Sequence, residues 1–239
     1  MNSIFKPFLK KIVLVFFDDI LIYSKSWEEH VSHVDKVLKL LKEHQLYVKP
    51  SKCAFGVQEV EYLGHIVSHE GVKVDPNKIK AVMEWPIPRN LKNLRGFLGL
   101  TGYYRKFVKN YGQIAAPLTK LLKKDGFSWT EEATKAFEKL KVAMCTTPIL
   151  STPDFTKTFI VECDASGNGI GAVLMHEERS IAFESCQLKG NNLLKPIYKN
   201  EISAILHAIK KYRPYLIGRH FKVKTYHDSL KYFLEQRLS

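Results

Sequence analysis

Two adjacent carboxylates, Asp18 and Asp19, stand between two short runs rich in β-branched and aromatic residues, positions 12–17 and 20–24. Such runs read as a β-hairpin with the acids at its tip. Paired carboxylates there supply hard oxygen ligands for a magnesium ion shared with a substrate phosphate. Phosphoryl transfer needs that arrangement, because charge develops on the transferred phosphorus and its oxygens. Two acids in a turn are also ordinary solvated turn formers. Here they are wedged between apolar strands, where close approach calls for a compensating cation. Cys53, Cys145, Cys163 and Cys186 form no Cys-x-x-Cys pair, so neither a zinc site nor a disulfide framework is indicated.

The elements around these residues follow from periodicity and caps. Ser26 with Glu29 is a capping-box signature, and Val31, Val34, Leu38 and Leu41 recur at helical spacing, predicting a helix to about His44. Residues 60–68 read as a strand, 69–71 as a turn and 72–74 as its partner strand. Asp75 caps a short helix opened by Pro76 and closed near Trp85. From 90 to 124 several short helices are expected, interrupted at Gly99, Gly102 and Gly112. A further helix begins at Thr130 with Glu131 and Glu132 in its first turn and buries Ala133, Phe137, Leu140 and Met144. After an aperiodic stretch at 150–158 the texture becomes strand (159–163), strand (169–175), strand (180–184), helix (197–212), strand (221–225). Such mixed order suggests an α/β or α+β domain behind a more helical part, and α+β is the fold class expected for the whole chain.

With 37 Lys and Arg against 24 Asp and Glu, the 239-residue chain carries a formal +13, which favours a polyanionic partner through counterion release. The charge is local. Positions 73, 78, 80, 89, 92, 95, 105, 106, 109, 120, 123 and 124 are Lys or Arg, against Asp75 and Glu84 alone, so this stretch holds +10 of the +13. Tyr103, Tyr104 and Arg105 interleave aromatic and cationic groups, as nucleic-acid surfaces do. No apolar run reaches the roughly 18 to 20 residues needed to cross a bilayer and no signal-peptide pattern follows Met1, so a soluble intracellular protein, cytoplasmic or nuclear, without a membrane partner is expected.

The motifs carry a specific resemblance. VFFDDILIYS from Val15 is similar to the catalytic hairpin of gypsy-type long-terminal-repeat retrotransposon reverse transcriptases, and MNSIFKPFL before it resembles the same family's lead-in. YLGHIVS from Tyr62, VDPNKI from Val74, LRGFLGLTGYYRKFV from Leu94 and AAPLTKLLKK from Ala115 follow in the family's order. DASGNGIGAVL from Asp164, YKNEISAI from Tyr198 and HFKVKTYHDSLKYFLEQ from His220 resemble the ribonuclease H of the same polyprotein. The resemblance implies the C-terminal half of a polymerase palm over 1–72, a helical thumb and connection over 73–149, and a ribonuclease H-like domain over 150–239. It implies Asp18 and Asp19 as catalytic metal ligands, Asp164 and Glu201 as the first two ribonuclease H acids, and Mg2+ or Mn2+ as cofactor. It places Leu63 and Gly64 at the primer terminus, and the cationic stretch, with Arg95, Tyr104, Arg105, Lys106, Lys109, Lys123 and Lys124, along the template–primer. RNA, DNA and RNA/DNA hybrid are the implied partners, together with the rest of the polyprotein.

Departures qualify the resemblance. The family's further polymerase aspartate and its fingers precede the position of Met1. Where the family reads Thr-Asp-His this chain has Thr225-Tyr226-His227, and a phenol is no carboxylate ligand. Asp228 is displaced by roughly 6.6 Å along an extended strand, whereas metal sites tolerate about 0.2 Å in ligand distance. The family's last ribonuclease H acid falls beyond Ser239. Both acid sets are thus expected to be incomplete here, which leaves open an active polymerase and nuclease module or a catalytically silent, basic nucleic-acid-binding remnant.

Overall fold

A computed structural model describes every residue except 2, 10, 124–126, 167–168, 188–196 and 226–239. Two compact units divide the chain, Met1–His69 and Glu70–Ser239.

In the first unit, β1 (Val13–Phe16) and β2 (Asp19–Ile22) pair antiparallel, with Val13 opposite Ile22 and Phe16 opposite Asp19. That register leaves Phe17 and Asp18 as a two-residue turn. α1 (Trp27–Glu43) starts where the capping box predicts, the Ser26 hydroxyl accepting from Glu29 N. It buries Val37 and Leu41 against Phe5 and Val13, with Ile20 and Ile22 alongside. β3 (Glu59–Tyr62) and β4 (His65–Ser68) are antiparallel, Tyr62 opposite His65. The single strand expected over 60–68 is therefore a hairpin in its own right. Its turn residues Leu63 and Gly64 have φ of 52° and 70°, the doubly left-handed backbone that matches strand twist in a two-residue loop.

The second unit opens with β5 (Gly71–Val74), held by reciprocal bonds between Val72 and Leu150 of 2.8 and 2.9 Å. A side chain at residue 71 would meet the Leu150 carbonyl oxygen at 2.2 Å, so only glycine fits. α2 (Pro76–Met83), α3 (Leu91–Tyr103), α4 (Tyr111–Ile114), α5 (Ala116–Lys120) and α6 (Glu131–Cys145) follow. Asp75, Asn90 and Thr130 cap α2, α3 and α6 through their side-chain oxygens. Their shared core contains Leu94, Phe97, Tyr104, Phe107, Phe137 and Leu140, with the Phe97 and Phe137 rings 4.5 Å apart.

β6 (Phe159–Ser166), β7 (Gly169–His176), β8 (Arg179–Gln187) and β9 (Phe221–Thr225) form a sheet in the order β8-β7-β6-β9. β6 runs parallel to β9, and the remaining pairs are antiparallel. α7 (Ile197–Leu216) makes the crossover and packs Ala204, Ala208 and Tyr212 on Phe159, Val161 and Cys163; the two alanines let helix and sheet approach closely. The short helix α4 binds the sheet too. Gly112 N donates to Ser185 Oγ at 2.7 Å, Gln113 Nε2 donates to the Ile170 carbonyl at 3.1 Å, and a Cβ on Gly112 would lie 2.7 Å from Ser185 O. Among the described residues no helix is long and apolar enough to cross a membrane.

Candidate active site

Phe17, the first turn residue of the β1–β2 hairpin, adopts φ 53°, a left-handed conformation that costs a non-glycine residue about 1–2 kcal/mol. Its ring, 79% exposed, stacks edge-on against Phe16 at 4.8 Å. This tight turn sets Asp18 in the loop and Asp19 at the first position of β2, both exposed. Met1, Val15, Phe16, Phe17 and Asp18 line an open cleft of about 650 Å³. Burial raises the Tyr62 pKa, and the nearby Asp19 carboxylate raises it further. The end of β3, and with it the Leu63–Gly64 turn, therefore lies within electrostatic reach of the hairpin tip. Tyr62 opens the YLGHIVS motif, but nothing local in the sequence points its phenol toward Asp19. Two exposed, adjacent carboxylates fit one side of a hard cation such as Mg2+ or Mn2+. Among the described residues no group of three or more His, Cys, Asp or Glu converges as a metal cage.

The second acid set is arranged differently. Along β6, Phe159, Val161 and Cys163 are buried against α7, while Glu162 and Asp164 alternate to the opposite face. Asp164 is exposed and shares a cavity of about 250 Å³ with Lys109, Asn110 and Glu162; Glu162 pairs with Lys224 at 3.4 Å. Glu201, on α7, is 3% exposed. One of its carboxylate oxygens accepts from Ala165 N at 3.3 Å, the other from Thr225 Oγ1 at 3.1 Å. Burial, then the Glu201 and Glu162 carboxylates, push the Cys163 thiol up to about 12. Sequence alone does not assign Thr225 to Glu201, since nothing local marks a strand-end threonine as facing a particular helix. Tyr226 and Asp228 lie outside the described residues.

The cationic stretch places its charge outward. Lys92, Arg95 and Tyr103 are exposed along one face of α3, and Arg105, Lys106, Lys109 and Lys123 are exposed beyond it. Lys106 sets its ammonium 5.3 Å from the centre of the Phe107 ring, and desolvation there lowers its pKa. Tyr104 is a correction: it is 1% exposed in the helical core. Leu94, Phe97, Thr101 and Tyr104 follow each other at three- and four-residue steps on the buried face, which leaves Tyr103 as the outward aromatic. Lys124 lies outside the described residues.

A twisted hairpin bearing two acids, a cationic helical part and a four-stranded sheet crossed by one helix define the reverse transcriptase class with a ribonuclease H-like domain. Residues 1–67 match the family model for reverse transcriptase (RNA-dependent DNA polymerase), and 129–223 that for the RNase H-like domain found in reverse transcriptase. The chain belongs to the retrovirus-related Pol polyproteins of gypsy-type retrotransposons. It is 43% identical over 234 residues to the Pol polyprotein from transposon 297 of Drosophila melanogaster, covering 97% of this chain and 22% of that protein. It is 36% identical over 251 residues to the gypsy polyprotein of the same fly, covering 99% and 24%. An uncharacterized mitochondrial protein of Arabidopsis thaliana is 52% identical over 132 residues, 54% of this chain and 84% of that protein. The chain thus spans about a quarter or less of the polyproteins it matches. In fold it is similar to the foamy viral protease-reverse transcriptase dRH in complex with ds DNA (TM-score 0.90, 24% identity, 99% of this chain and 42% of that one). The foamy viral enzyme in complex with RNA/DNA hybrid superposes with a TM-score of 0.87 at 23% identity, covering 100% and 33%.

Proposed function

We propose that this chain is the primer-gripping and duplex-tracking part of an RNA-directed DNA polymerase, and that its ribonuclease H-like sheet serves as a scaffold without nuclease activity. Residues 1–72 act as palm, 73–149 as thumb and connection, and 150–239 as the ribonuclease H-like domain. The exposed Asp18 and Asp19, within electrostatic reach of the strand that ends at Leu63 and Gly64, carry the polymerase reading. They would hold Mg2+ or Mn2+, which when bound neutralises charge developing on the transferred phosphate. Arg95, Arg105, Lys106, Lys109 and Lys123, with Tyr103, contact the backbone of RNA, DNA or their hybrid. The rest of the polyprotein supplies the fingers and the upstream aspartate, in the cytoplasm or nucleus.

The silent nuclease is supported by one arrangement, both Glu201 oxygens already accepting bonds from the protein, together with Tyr226 standing in the sequence where the family has an aspartate. Two metal ions repel strongly, so several converging carboxylates are needed to hold them against a phosphodiester. The test is binding of a labelled hybrid, primer extension and hybrid cleavage in Mg2+. Expected are salt-sensitive binding, extension only when the upstream polymerase segment is supplied, and no cleavage above background. Tyr226→Asp should restore cleavage in part at most. Robust cleavage by the unmodified chain, abolished by Asp164→Asn, overturns the scaffold reading.

A further inference from the structure

Ser24 lies just past the end of β2, and its hydroxyl meets two imidazoles of α1. Ser24 Oγ is 2.7 Å from His33 Nδ1 and 3.3 Å from His30 Nδ1. The histidines are three residues apart, so one helix face presents both rings. All three side chains are half-buried. As a hydrogen-bond network the cluster is constrained. The hydroxyl has one proton, so if it donates to one ring it must accept from the other, and the two imidazoles are forced into different tautomers.

We propose that Ser24, His30 and His33 form a binding site for a borderline transition-metal cation, Zn2+ or Cu2+, separate from the Asp18–Asp19 pair. Zinc–nitrogen bonds of about 2.0–2.1 Å in a tetrahedron separate neighbouring ligand atoms by roughly 3.3 Å. The His30 contact has the length of such an edge, and the His33 contact must lengthen by about 0.6 Å as the hydroxyl changes from hydrogen-bond partner to ligand. Imidazole nitrogen selects such metals over Mg2+, which prefers carboxylate and water oxygen. On binding, the cation takes both Nδ1 lone pairs and a hydroxyl lone pair. Each ring then carries its single proton on Nε2, so the tautomer conflict disappears without any proton having to leave the rings. Two imidazoles and a hydroxyl leave at least one coordination position to water, so the site is open and exchangeable. Occupancy fastens the exit of β2, the strand that begins at Asp19, to α1.

Trp27 provides a reporter, its ring centroid 6.2 Å from that of His30. The full chain is titrated with Cu2+ while indole fluorescence is followed, and with Zn2+ in competition. Expected are saturable quenching lost in Trp27→Phe, at least tenfold weaker binding in His30→Gln and in His33→Gln, and no competition from millimolar Mg2+. Glutamine keeps a polar partner for Ser24, and circular dichroism of each variant confirms its fold. Ser24→Cys is a gain-of-function check: with Co2+ it should produce a thiolate-to-cobalt charge-transfer band absent from the parent. Quenching that survives in both histidine variants, competition by Mg2+, or no new band in Ser24→Cys overturns the site.

Discussion

Glu201 and Asp164 look equivalent as acids and are not equivalent as residues. Glu201→Ala removes a buried carboxylate that accepts bonds from Ala165 N and Thr225 Oγ1, which should cost about 1–3 kcal/mol in urea unfolding. Asp164→Ala, at an exposed position, should change stability by less than about 0.5 kcal/mol. A gain in stability from Glu201→Ala would instead mean relief of repulsion within a genuine metal-binding set. Cys163 gives a pH test. Its folded thiol holds its proton to about 12 against an ordinary 9.0, so above about pH 9 the unfolded chain ionises first. Stability is therefore full below about pH 9 and falls as pH rises toward about 12. Cys163→Ser, whose hydroxyl does not titrate there, should lose that part of the slope. At about pH 8, near the ordinary thiol range, iodoacetamide should alkylate the exposed Cys145 and spare Cys163.

Among the elements, α1, α2 and α6 are legible because cap and periodicity lie within one local window, Ser26, Asp75 and Thr130 each accepting a bond from the first turn they precede, whereas α3 runs unbroken through Gly99 and Gly102, where interruptions are expected from the sequence. The β3–β4 hairpin is less legible, since its turn places Leu63 at positive φ, which composition does not announce. Contacts between elements distant in sequence are not written locally at all. Gly112 is expected from the sequence to interrupt a helix but lies inside α4, and its close approach to Ser185 becomes visible only when α4 meets β8. Gly112→Val should push α4 off the sheet, seen as faster hydrogen exchange at α4 and β8 with α6 still protected. Unchanged protection at both would mean that this approach does not couple helix and sheet.

Across the full chain, charge acts collectively. Arg105→Ala, Lys106→Ala and Lys109→Ala together should weaken duplex DNA binding and reduce the log–log salt slope by about 0.9 for each phosphate left unneutralised; an unchanged slope would reduce the patch to a solvated face. Tyr103→Ala should weaken single-strand binding with little change in stability, whereas Tyr104→Ala should unfold the helical core, costing about 3–5 kcal/mol by analogy with other buried aromatics. The order of elements, the acid pair at a hairpin tip, the local concentration of positive charge and the family are all readable from the chain before it folds, because each is encoded in neighbouring residues. Which tyrosine faces outward, and which backbone and hydroxyl donors Glu201 meets, are settled only by folding. Helix packing sets Tyr104 in the core and brings Glu201 to Ala165 N and Thr225 Oγ1, and those placements depend on which surfaces come together after the chain has closed on itself.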